Sequence, residues 1–320
     1  MRVNPIEQAA EAFNPAAHQP LPDVELAIAG PQVESPPPWR RVVHRFAHNR
    51  SAMTALGFLA FVVLVALLAP WIAPHNPDHQ NTRLINRGPM AGHWLGTDDL
   101  GRDLLSRLMF GARISLQVSL EIVVLAVAMA LPLGLIAGYA GGWLDSVIMR
   151  VMDALFTFPP LLLALAVAAL LGHNLTTISI AISIVFVPGF VRVLRGQVLA
   201  VREETFIEAA RSMGISERRM LGKHVLPNVA APAIVQVAVF FGYALLTETG
   251  LSFLGFGVQP PHASWGTMLE SAYNFILDKP WPLFPPGLAI FLTVLAFNLV
   301  GDGLRDSLGR ETYMPKGLGR

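Results

Sequence analysis

Six stretches of this chain lack formal charge almost entirely, and their lengths decide what it can fold into. Crossing the hydrocarbon core of a bilayer takes about 20 apolar residues in a helix. No Asp, Glu, Lys or Arg lies between Arg50 and His75, so residues 52–73 read as a first span. The uncharged run after Glu121 places a second span over 115–139. From Asp153 to Arg192 there is again no such charge, which is too long for one helix. Gly172-His173-Asn174 divides that run into 158–171 and 175–191. Residues 229–251 form a fifth span with one acid, Glu248, and 283–301 form the sixth. The third is short, so five is the alternative count. Backbone inside lipid must satisfy its own hydrogen bonds, so uninterrupted apolar runs of this length predict helices. The expected class is an all-α polytopic membrane protein.

Only 14% of residues are charged, against about 25% in a soluble domain. The net charge of +1 gives no basic footprint for nucleic acid. Lys and Arg concentrate on the cytoplasmic side of membrane proteins. With both termini inside, 17 of the 23 basic residues fall inside and 6 outside. The five basic residues within 74–113 are the discordant group, offset by Asp78, Asp98, Asp99 and Asp103.

Residues 1–38 are rich in Pro and Ala and read as a flexible cytoplasmic tail. The first apolar run begins too late for a cleaved leader. Residues 39–50, WRRVVHRFAHNR, read as a basic amphipathic anchor for the first span. In the outer loop, Thr97 or Asp98 is placed to cap a helix. Leu100, Leu104, Leu105, Leu108 and Ala112 give that helix an apolar face, and Arg102, Asp103, Ser106 and Arg107 a polar one. It is expected to lie along the outer interface, with the Asp-rich start solvated and no metal bound. Pro188-Gly189 inside the fourth span permits a kink, either for packing or for gating. Glu248 reads either as a cavity-facing or paired acid at an outer gate, or as a structural acid with local hydrogen bonds. Residues 251–269 read as an outer re-entrant or interfacial hairpin whose Trp265 is a candidate for the translocation pathway or gate, and 304–320 as a cytoplasmic tail.

The chain has no cysteine, no G-x-x-x-x-G-K-[ST] phosphate loop, no H-E-x-x-H pair and no G-x-S-x-G elbow. No catalytic or metal-ligand constellation is visible, which favours a conduit over an enzyme. One polar run sits between apolar segments on the inner side: EAARSMGISERRMLGKHVLP, residues 208–227. Ala209, Ala210 and Met213 share a helical spacing, Gly214 interrupts, a basic run follows, and Leu226-Pro227 reads as a stop. A small bent helical knob on the cytoplasmic face is expected.

Glu208-Ala209-Ala210, three residues, Gly214, nine residues, His224, one residue, then Leu226-Pro227 resembles the EAA loop of ABC importer permeases. His224 stands where the general pattern has Ile, as in the peptide and nickel branch. Residues 95–116, 138–153, 251–269 and 297–308 also resemble that branch, specifically the "C" permease of dipeptide and oligopeptide importers. The resemblance covers the chain from about residue 40 onward. It implies a type I importer permease fold, with a transmembrane domain over 114–303 and a coupling loop over 203–227. The partners implied are a homologous second permease, two ATPase subunits and a periplasmic or lipid-anchored binding protein, in a bacterial inner membrane. ATP and Mg are then bound by the ATPases, and this chain binds no cofactor. Ala209 and Ala210 are implied to allow close approach in an ATPase groove, Gly214 to supply the bend, and Glu208 to cap or salt-bridge within the element. Nickel, glutathione or another small solute is the alternative cargo, and a gradient-driven transporter or a membrane scaffold the alternative class.

Overall fold

The computed structural model describes residues 38–172 and 174–309, which are helical throughout the apolar runs, with no strand among the described residues. Residues 1–37 and 310–320, which hold most of the two expected tails, and His173 lie outside the described residues. The chain divides into two units, residues 1–41 and 42–320. Of the first, only the opening turn of α1 (Pro38–His48) is described.

Among the described residues, five helices are long and apolar enough to cross a membrane. They are α2 (Arg50–Ile72), α3 (Leu104–Ala140), α6 (Leu175–Arg202), the run from Glu217 to Phe253, and the run from Trp281 to Gly309. Their starts carry the expected signals. The Asn49 side chain caps α2 by accepting from the Ala52 N–H, and Asp103 caps α3 by accepting from Ser106 N–H. Asn174 and Thr177 form a reciprocal capping box on α6.

One bent pair has the composition of a sixth crossing, with the geometry of a broken span or of a re-entrant loop. The helices α4 (Gly142–Phe156) and α5 (Pro160–Leu171) meet at a 92° bend. At 12 residues and 1.5 Å per residue, α5 is only about 18 Å long and too short to span alone. Both members lie along α6, in reverse order. Asp145 of α4 grips Arg195 through two 2.6 Å hydrogen bonds, and Met152 packs with Val187, Phe190 and Leu194. Ala164 and Ala168 of α5 then join Ile178, Ala181 and Ile182. The pair therefore climbs α6 towards its N-terminus.

The tightest helix pair is α3 against α6. Ala126, Ala130, Gly134 and Gly138 recur every four residues on the contact face of α3. A Cβ on Gly134 would stand 2.7 Å from Leu194 Cβ, and one on Gly138 equally close to Val198 Cβ. Lipid supplies no hydrophobic drive between helices, so such small-residue stripes let backbones pack directly. α6 runs unbroken through Pro188. Beside it, Gly189 leaves room for the Phe240 ring, which also lies 4.0 Å from Phe190 between ring centroids.

The outer loop corrects one expectation. α3 begins at Leu104 and continues without a turn to Ala140, so there is no separate interfacial helix. Nor is the Asp-rich segment solvated: Thr97, Asp98, Arg102, Asp103 and Arg107 are all buried. Asp98 accepts from Arg102 Nε at 2.7 Å and pairs with Arg107 at 3.3 Å. Asp99, half-buried beside them, has its carboxyl pushed above the usual range by burial and then by the neighbouring Asp98 charge. The polar face of the segment turns towards the folded loop rather than towards water.

Candidate functional site on the inner face

Between α6 and the fifth crossing the chain builds α7 (Thr205–Ser212), a turn at Gly214, α8 (Glu217–Met220) and a π-helical turn, Leu221–Val225, that runs into α9 (Leu226–Phe253). Gly214 has φ +75°, the left-handed region open to glycine. Its N–H donates to Arg211 O at 2.9 Å, and the Ile215 N–H donates to Ala210 O at 3.3 Å. This pair of bonds is the Schellman ending of a helix, with glycine at the residue after the cap. The bend expected from Gly214 is thus a defined hydrogen-bonded turn.

The sequence also suggested that Leu226-Pro227 stops the second arm. It does not. Pro227 occupies the first turn of α9, and the helical run continues from Glu217 to Phe253. Proline removes one backbone donor and crowds the carbonyl four residues back. The π turn absorbs this, with the Leu226 N–H reaching back five residues to Leu221 O. His224 lies half-buried inside that turn, and its carbonyl accepts from Asn228 Nδ2 at 2.6 Å. The second arm of the knob is therefore an extension of a membrane-crossing helix.

The first arm is amphipathic in a particular sense. Ile207 and Ala210 are buried, in one cluster with Tyr139, Val198, Met220, Val225 and Val229. Ala210, implied to face a partner, instead turns inward, where its size lets α7 lie close under the helix ends. Ala209 is exposed. With Phe206 and Met213, 43% and 73% exposed, it forms an apolar stripe at i, i+3, i+7 spacing on the free side. Glu208 is exposed in the first turn, where its charge suits the helix N-terminus, and Leu226 is half-buried in the cluster below.

Polar contacts tie both arms to the spans. The Tyr139 hydroxyl at the end of α3 donates to the Glu217 carboxylate. It also stands beside the Arg211 guanidinium and holds it above its ordinary value. Arg202 donates to Tyr139 O at 3.0 Å. One tyrosine thus joins α3, α6, α7 and α8, an arrangement that nothing in the local sequence signalled.

The remaining residues singled out from the sequence lie elsewhere. Glu248 is not cavity-facing: it is fully enclosed near the outer end of α9. Its Oε1 accepts from Ser252 Oγ at 2.7 Å, and its Oε2 is buried without a hydrogen-bond partner. Directly above, α10 (Trp265–Tyr273) is held by Trp265 N–H donating to Ser115 Oγ at 3.1 Å and Trp265 Nε1 donating to Leu108 O at 3.0 Å. A Cβ on Gly266 would come within 2.5 Å of Ser252 Cβ, so α10 sits almost on the α9 backbone. Trp265 also walls an apolar crevice of about 390 Å³ between α2, α3 and α11 (Phe284–Gly309). Pro188 and Gly189 lie mid-span, so these four residues and the inner-face element do not form one site.

The family profile described as "Binding-protein-dependent transport system inner membrane component" matches residues 130–312, which include the whole bent element. The chain belongs to this family. A second profile, the N-terminal transmembrane domain of oligopeptide transport permease C, matches residues 37–89. The dipeptide transport system permease protein DppC of Alkalihalophilus pseudofirmus is 41% identical over 302 residues, covering 94% of this chain and 97% of the relative. The glutathione transport system permease protein GsiD of Escherichia coli is 44% identical over 275 residues, covering 85% and 90%. The same protein of Shigella boydii is similar to the same degree. As a permease of this family the chain is a transport subunit of the inner membrane, working with other transporter subunits.

Proposed function

We propose that this permease imports small peptides, and that Thr205–Met220 is the contact through which partner ATPases drive it. The observation that carries the reading is the apolar stripe Phe206, Ala209, Met213 on a water-facing knob whose second arm is continuous with α9. An apolar stripe in water calls for a partner. A rigid continuation into a span passes the partner's motion to the membrane domain. The chain lacks a phosphate loop, so ATP and Mg belong to the partner, as does hydrolysis. A second, homologous permease completes the pathway, and a binding protein delivers cargo to the outer face. ATP-driven closure of two ATPases moves both permeases' knobs and switches the cavity between inward- and outward-facing.

Dipeptides or short oligopeptides are the proposed cargo, on the strength of the similarity to the dipeptide permease. Glutathione is the second reading, favoured by the 44% identical relative. Proteoliposomes holding both permeases and both ATPases, with binding protein added, test both. Labelled dipeptide should accumulate only with internal ATP on the ATPase side. Preferential glutathione uptake would select the second reading. Uptake driven by an ion gradient without ATP would refute the mechanism.

A further inference from the structure

The outer loop brings together three groups that are far apart in sequence. His75 follows the end of α2, His93 lies in the turn closed by the Met90–His93 bridge, and Asp103 caps α3. Both imidazoles present Nδ1 to the same carboxylate oxygen, Asp103 Oδ1, at 2.8 Å from His93 and 3.8 Å from His75. The rings stack with centroids 4.6 Å apart. One ligand atom from each residue lies within 4.8 Å of the other two. The second carboxylate oxygen is already fixed, accepting from Ser106 N–H at 2.8 Å and Ser106 Oγ at 2.7 Å.

A hydrogen-bonded cluster explains only half of this. His93 donates well to Asp103, but 3.8 Å is too long for a hydrogen bond from His75. A divalent ion explains both. With bonds of about 2.0–2.1 Å, a tetrahedral ion sets its ligand atoms roughly 3.3 Å apart, between the two observed separations. Closing the site requires the two imidazoles to turn out of their stack so that both Nδ1 lone pairs meet at one point. The carboxylate, buried and oriented by Ser106, has the supporting hydrogen bonds that ligating carboxylates require. The His75 side chain is 39% exposed, which leaves an entry path and room for water as a fourth ligand.

We infer that His75, His93 and Asp103 form a site for a late first-row divalent cation, of the zinc class, on the outer face. Two imidazoles and one carboxylate suit zinc, cobalt or nickel, whereas magnesium and calcium prefer oxygen ligands. The ion ties the end of α2, the 90–93 turn and the first turn of α3 into one unit. It is a clip on the outer loop, remote from the ATPase contact, and does not depend on the cargo.

The test uses the full chain in nanodiscs, carried on a tag without histidine and stripped with chelator. Co²⁺ titration should give the visible absorption of a four-coordinate ion at about one equivalent per chain, bleached by Zn²⁺. Zn²⁺ should also raise the unfolding temperature. His75→Ala and His93→Ala should each abolish both signals, and Ser106→Ala should weaken binding by about 10–100-fold. Should His93→Ala fail to fold, the exposed position His75 carries the test alone, its fold checked by intact ATPase binding. No Co²⁺ absorption at millimolar metal, or absorption that persists in His75→Ala, overturns the proposal.

Discussion

Replacing Gly214 separates two accounts of why glycine sits in the bend. With φ +75° and no atom within 4 Å of an added Cβ, a side chain here meets open space but a strained backbone. Left-handed backbone costs an ordinary residue roughly 1–2 kcal/mol, and a β-branched one up to about 3 kcal/mol. Asparagine adopts it with less penalty. If the strain is relieved by opening the Schellman turn, the docked form of the knob becomes rarer by a factor of about 5–30 for Gly214→Ala. Gly214→Val should lose more and Gly214→Asn less. Affinity of the membrane-embedded permease for its ATPase, with coupled uptake in proteoliposomes, reads this out. The predicted order is Gly, Asn, Ala, Val. Asparagine is larger than alanine, so a glycine kept for close approach to a partner would give the order Gly, Ala, Asn. That result would refute the backbone argument.

Met213→Asp and Phe206→Asp place a charge on the exposed stripe and should block ATPase binding while leaving the permease folded and inserted; unchanged co-purification would mean that the stripe is not the contact. Tyr139→Phe removes the hydroxyl that donates to Glu217 and stands beside Arg211. Its signature should be ATP hydrolysis that continues with uptake reduced, and equal loss of both would place the tyrosine in general stability instead. Glu248→Gln should keep transport near normal, whereas Glu248→Ala strips Ser252 of its acceptor inside the fold and should cost about 1–3 kcal/mol in unfolding measurements. A transport defect in Glu248→Gln with stability unchanged would restore the gate reading.

The spans were legible because lipid leaves the sequence one option, and the first apolar run, 52–73, fell almost on α2. Their ends were less so. Hydropathy stops at the first charge, at Arg192, but α6 continues to Arg202 because Arg192 and Arg195 pair with Asp153 and Asp145 of α4. Proline 227 misled for a similar reason: the rule that it ends helices assumes four-residue spacing, and the π turn before it changes that spacing. The bent element itself was visible from Gly214 and its polar flanks. Which alanine faces out was not, since Ala209 and Ala210 are chemically identical and only the packing of Ile207 under Tyr139 and Val198 decides it. The His75, His93 and Asp103 cluster was beyond reach for the simplest reason: no motif spacing connects residues that a loop brings together.

That orientation of α7 gives the most direct test of the coupling contact. The chain has no cysteine, so single thiols can be introduced without background. Ala209→Cys and Ala210→Cys differ by one residue and, in this fold, by which side of the helix they occupy. A short bifunctional thiol reagent applied to the assembled transporter should join Ala209→Cys to a cysteine in the ATPase groove and leave Ala210→Cys unreacted. Cross-linking through Ala210→Cys, or none through Ala209→Cys in an assembled and active complex, would contradict the account.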